Sequence, residues 1–243
     1  MEQIDPTSPR ARARIAGAVY LLFFLTAVFG VLVPPGLSGP GGISSDAAAT
    51  AKSIMANEAS YELSVALGLI STAFYVALMA LFYQLFRPVS RSISLVVAFF
   101  GLVGCAITAF ASLFQLGPIV VLDGSSYLSV FDAKQLQAVA LLFLHLNAQA
   151  GSIALVFFGV FQLLLGYVIF RSTFLPRILG VLIAVAGVGW LTFLAPPVSS
   201  FLLSELEVLG FVAEASLMLW LLVKGVNAER WNELARKGFL STS

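Results

Sequence analysis

Charge is scarce in this sequence. Of 243 residues, 10% are charged and 60% are hydrophobic. An ordinary soluble domain is about 25% charged. So little polar surface excludes the soluble globular class, and the mean hydropathy of +1.00 agrees. Cysteine is limited to Cys105, which excludes an internal disulfide framework. Histidine is limited to His145, and no His/Cys cluster is present to ligate a metal or haem. Phosphate- and dinucleotide-binding glycine loops, a G-x-S-x-G elbow, an H-E-x-x-H helix and aspartate metal–phosphate motifs are all missing. No cofactor and no metal are expected.

Long apolar runs are what the chain has in plenty. A spanning helix needs ~20 mostly apolar residues to cross ~30 Å of hydrocarbon. Six stretches qualify: 15–33, 63–86, 93–116, 145–170, 178–195 and 206–223. The first is read as an uncleaved helix, because its apolar core exceeds a usual signal-peptide core and "VLVPPGLSGPGG" offers no A-x-A cleavage site. The expected fold is all-α: a polytopic transmembrane helical bundle of six spans over 15–223, between an N-terminal segment 1–14 and a tail 224–243.

The basic residues orient that bundle. Arg10, Arg12 and Arg14 precede the first span; Arg87 and Arg91 lie in the second connection, Arg171 and Arg177 in the fourth. Lys224, Arg230, Arg236 and Lys237 follow the last span, so of 13 Lys and Arg only Lys52 and Lys134 fall in the alternating connections. The positive-inside rule then puts both termini in the cytoplasm. An even span count requires the same. The mixed-charge tail fits an anionic lipid surface better than nucleic acid.

The connections differ in kind. "RPVSR" and "RSTFLPR" are tight, with Pro88 and Pro176 marking helix ends. The outer connections are longer, and each begins with Gly- and Ser-rich turns. "SSDAAATAKSIMANEASYE" then has helical composition, and in "SVFDAKQLQAVALLFL" Leu136, Val139, Ala140 and Phe143 share one face. Short amphipathic helices are expected in both, the second resting on the outer rim. Ser129 with Asp132 resembles a capping box there. A faint parallel repeat relates spans one and two to three and four.

Polar residues inside the spans fall in stripes at helical spacing. Ser64, Gly68, Ser71 and Tyr75 line the second span; Gly101, Gly104, Cys105, Thr108, Ser112 and Gln115 line the third. His145, Gln149 and Ser152 open a face of the fourth that continues to Gly159, Gln162 and Gly166. Glu207, Gly210 and Glu214 align in the sixth, whereas Gly180, Ala184 and Gly187 make a small-residue seam on the fifth. Such seams let helix backbones approach closely in lipid.

Glu214 is the residue that packing alone explains least. A carboxyl there costs ~2–3 kcal/mol against insertion, and an ionisable group at membrane depth marks a functional candidate. Counted from the outer end of its span it lies eight residues in, ~12 Å down. The expected site is an outward-facing polar pocket of Glu214, His145, Gln149, Ser152, Ser71, Tyr75, Thr108, Ser112, Gln115 and Glu207, with Gln162 and Gln84 as outliers toward the cytoplasm. The leading expectation is a non-enzymatic membrane protein that binds or passes a small solute or proton. The alternative is a structural or regulatory subunit using the seam of the fifth span for a membrane protein partner. An intramembrane enzyme is least favoured, for want of paired carboxylates or a nucleophile–base pair.

The stretches "ARIAGAVYLLFFLTAVFG", "FDAKQLQAVALLFLHLNAQAGSIALVFFGVFQLLLGYVIFRSTFLPRILGVLIAVAGVGWL" and "LWLLVKGVNAERW" resemble the bacterial membrane family catalogued as domain of unknown function 4386. The similarity runs from about Arg10 to Trp231. It implies a multi-pass protein of the bacterial inner membrane, and it brings no catalytic residues with it.

Overall fold

The computed structural model describes residues 8–33 and 46–240. The turn-rich part of the first connection lies outside them. Among the described residues there are nine α-helices and no strand. They are α1 (Pro9–Leu32), α2 (Ala47–Ala56), α3 (Glu58–Phe86), α4 (Arg91–Leu122), α5 (Ala133–Arg171), α6 (Arg177–Leu191), α7 (Pro196–Phe201), α8 (Leu203–Val223) and α9 (Ala228–Leu240). Six are long and apolar enough to cross a membrane: α1, α3, α4, α5, α8, and α6 extended by a 3-10 turn to Leu194. The fold is an all-α helical bundle.

Local chemistry explains where these helices start. The Ser8 hydroxyl accepts from the Ala11 N–H at 3.1 Å, with Pro9 in the first helical position of α1. Asp46 Oδ1 accepts from the N–H groups of Ala48 and Ala49, starting α2. The capping box of α5 is Asp132 with Gln135, one turn later than the expected Ser129 and Asp132: each side chain accepts the other's backbone N–H at 2.8 Å. The connections before α3 and α5 therefore each contain an Asp-Ala helix start.

Two elements differ from the expected pattern. The amphipathic stretch 132–144 is not separate from the fourth span; it forms the first turns of the 39-residue α5. No helix breaker stands between Leu144 and His145. The third span likewise runs on through Gly117 and Pro118 to Leu122. Proline removes one rung of the hydrogen-bond ladder, and beside it the Tyr61 hydroxyl donates to the Gln115 carbonyl at 2.5 Å.

The chain packs as two compact units, one of residues up to Leu22, Phe74–Cys105 and from Ala154 on, the other of Phe23–Ala73 and Ala106–Ile153. In the second unit Ile54, Tyr61, Val65 and Leu144 form a buried cluster flanked by Leu116 and Ile119. Asn147 adds a bond to the Ala111 carbonyl at 2.9 Å. In the first unit α1 meets α8 backbone to backbone: a Cβ on Gly17 would lie 2.7 Å from the Leu222 Cα. The α5–α6 contact is as close. A Cβ on Gly180 would meet the Gly166 carbonyl at 2.6 Å, and one on Gly187 would meet the Leu163 nitrogen at 2.6 Å. The seam of the fifth span is thus taken up by α5 of the same chain.

The last span ends in a left-handed glycine, Gly225 at φ 68, which turns the chain toward α9. There the Trp231 indole donates to the Leu85 carbonyl at 2.8 Å and the Arg230 guanidinium to the Thr173 carbonyl at 3.0 Å. These bonds serve carbonyls at a helix end and in a loop, where backbone groups lack helical partners.

Candidate functional site

Glu214 projects from α8 between Ala213 and Leu217, both fully buried. The Gln162 side-chain amide, on α5, donates to Glu214 Oε1. The Tyr20 phenol, on α1, hydrogen-bonds the same carboxyl and also the Tyr75 phenol of α3. Gln162 and Tyr20 are 1% exposed and Tyr75 4%, while Glu214 itself is half-buried. Four helices of one unit thus meet in a single polar knot.

An aromatic shell surrounds it. Tyr20 packs edge-to-face on Tyr75 at 6.1 Å and on Phe82 at 5.9 Å. Tyr75 does the same with Phe158 at 5.4 Å and Phe161 at 6.0 Å. Ring faces are electron-rich, and a dry surround strengthens every polar contact made inside it. One group in the knot is left over. Gln162 Oε1 is buried without a hydrogen-bond partner. With the carboxyl ionised, turning the amide over would bring its oxygen against the carboxylate and lose the bond to Glu214. The orphan oxygen is an acceptor awaiting a donor, and leaving it unpaired costs ~1–3 kcal/mol.

The helix ends explain the meeting. Gln162 stands nine residues before the end of α5, Glu214 nine before the end of α8, Tyr75 eleven before the end of α3, and Tyr20 eleven after the start of α1. At 1.5 Å per residue those offsets are ~14–17 Å, near half of a ~30 Å hydrocarbon layer. Counted from the Arg- and Lys-bearing ends, all four groups lie at one level.

The expected pocket is accordingly regrouped. Tyr75 stays with Glu214, and Gln162 and Tyr20 join them. Ser71, Thr108, Ser112, Gln115, His145, Gln149 and Ser152 belong to the other unit. His145 and Gln149 are exposed; Ser112 and Ser152 turn back onto the carbonyls of Thr108 and Ala148 in their own helices. Gln115 contributes its backbone carbonyl, to Tyr61. Ser71 is buried, and Glu207 lies exposed on α8. Among the described residues no three His, Cys, Asp or Glu side chains gather closely enough to hold a metal ion.

Tyr20 lies outside the expected pocket, on the first span. A signal existed: Tyr20 is one turn from Gly17, the residue at which α1 and α8 touch. Gln162, expected as an outlier toward the cytoplasm, is a direct partner of Glu214.

The profile of a family described as a domain of unknown function (DUF4386) matches residues 15–225. A relative from Archaeoglobus fulgidus, described as an uncharacterized protein, is 26% identical over 143 residues, covering 59% of this chain and 72% of the relative. No solved structure matches the chain.

Proposed function

The chain belongs to the DUF4386 family of domains of unknown function, and from that premise we propose that it is a non-enzymatic integral membrane protein that binds a small cationic solute at Glu214. The observation that carries this reading is the pairing of a half-buried carboxyl with an unpartnered amide oxygen, Gln162 Oε1, inside an aromatic shell. A protonated amine matches that set: its N–H donors satisfy both acceptors, and its charge is attracted to the ring faces. The same site accepts a bare proton. Both termini face the cytoplasm on this reading, supported by the distribution of Lys and Arg, in the inner membrane of a bacterium. The alternative, a subunit recruiting a helical partner through the fifth span, is weakened because Gly180 and Gly187 already pack against α5.

The test is titration of purified protein in detergent, by calorimetry, with small primary amines and with carboxylic acids of matched size. Amines should bind saturably to the wild type and fail to bind Glu214→Gln, whose fold is checked by thermal melting. Binding that survives Glu214→Gln, or a preference for the acids, overturns the proposal.

A further inference from the structure

Away from the polar knot, α5 and α6 enclose a groove of about 470 Å³. Gly166, Gly180 and Ala184 lie among its lining residues, and the large side chains of Tyr167, Phe170 and Val185 stand exposed beside them. Every one of those positions belongs to a helix long and apolar enough to span a membrane, so the groove opens toward lipid. At Phe170 the surroundings change sign. The Arg177 guanidinium lies 5.5 Å from the centroid of the Phe170 ring. Arg171 is exposed at the end of α5, and the connection 171–177 contains no acidic residue to neutralise either cation.

We propose that this groove is a binding site for an anionic phospholipid, with one acyl chain in the groove and the phosphate on Arg177. The floor and the rim decide what fits. A partner helix needs small residues turned outward for close approach. Here the glycines are already spent on each other, since a Cβ on Gly166 would meet the Gly180 carbonyl at 2.5 Å. Bulky rim side chains keep out a body ~10 Å across, the width of a helix, whereas a flexible hydrocarbon chain threads between them. The head group is selected by charge. The exposed Arg177 guanidinium, 5.5 Å from the Phe170 centroid, has an N–H fork suited to bidentate contact with a phosphate. A zwitterionic lipid places its own cation beside Arg171 and Arg177; an anionic one does not.

The experiment is native mass spectrometry of the full chain, extracted from bilayers holding equal amounts of phosphatidylglycerol and phosphatidylethanolamine. Phosphatidylglycerol should be retained about fivefold over phosphatidylethanolamine, the preference expected for one basic side chain at a lipid surface. Arg177→Gln should bring the ratio to parity, Arg177→Lys should keep part of it, and Val185→Trp should lower retention of both lipids by filling the groove. Val185 is exposed on the rim, so that variant carries the test if Arg177→Gln does not fold. Equal retention by the wild type, or retention unmoved by both Arg177→Gln and Val185→Trp, overturns the proposal. So does displacement of the lipid by inorganic phosphate, which would mark a simple anion site. Dimers dissolved by Val185→Trp with lipid retention intact would assign the groove to a second copy instead.

Discussion

The Gln162 amide donates to the Glu214 carboxyl across 52 residues of sequence, at the same distance from the ends of the two helices that carry them. That bond ties α5 to α8, while Tyr20 ties α1 to the same carboxyl. Small residues set the spacing of the neighbouring pairs, Gly17 against Leu222 and Gly166 against Gly180. Apolar surface gives helices in lipid little reason to associate, so close contacts and a few interior hydrogen bonds have to hold them. The residue that is costly to insert is therefore also a point of cohesion.

Replacing Glu214 by Leu should lower the melting temperature in detergent, because the Gln162 amide and the Tyr20 hydroxyl lose their acceptor. An orphaned buried donor costs ~1–3 kcal/mol. Glu214→Gln keeps the shape and an acceptor oxygen, and should melt close to wild type. Adding Gln162→Leu to Glu214→Leu should recover part of the loss, with a coupling of ~0.5–3 kcal/mol in the double-mutant cycle. Strictly additive losses would mean that the two side chains do not support each other.

The span count was legible because it depends on run length alone, and the six expected runs coincide with α1, α3, α4, α5, α6 and α8 to within a few turns. Helix ends were harder where a helix continues into polar sequence. The stretch 132–144 looks like a separate element by composition, yet nothing in it stops a helix from running into His145. The site was half legible. Glu214 and Tyr75 stand out as polar groups in apolar runs, but their partners depend on depth, and depth depends on the end from which it is counted. Counted from the outer end, Glu214 falls toward His145 and Gln149. That end is poorly defined, since α7 and a 3-10 turn separate α6 from α8. The Arg- and Lys-bearing ends are sharp, and from them Gln162 and Glu214 fall level.

Orientation is tested by a reporter active only in the cytoplasm. Fused after Ser243 or inserted at Arg91 it should be active, and inserted at Ser125 it should be silent. Activity at Ser125 with silence at Arg91 would invert the topology drawn from the basic residues.

Trp231 should be what holds the tail helix to the protein. It is 8% exposed, and its indole N–H reaches the Leu85 carbonyl near the end of α3. Arg230 adds a bond to Thr173, and the Asn227 N–H donates to the Phe174 carbonyl at 3.2 Å. An amphipathic helix with Arg236 and Lys237 exposed could instead be held only by anionic lipid. The two cases separate in detergent, where no anionic surface remains. Trp231→Phe keeps an aromatic ring, smaller than the indole, and deletes one donor, which should cost ~1–3 kcal/mol by stranding a carbonyl. Trp231→Ala also opens a cavity and should cost ~3–5 kcal/mol locally. Trypsin cleavage after Arg236 and Lys237 should accordingly speed up at least about a hundredfold in Trp231→Ala and by a smaller factor, about fivefold or more, in Trp231→Phe, with the rest of the chain still folded. Equal cleavage of wild type and Trp231→Ala in detergent, with protection returning in anionic vesicles, would make lipid the anchor and leave the indole bond incidental.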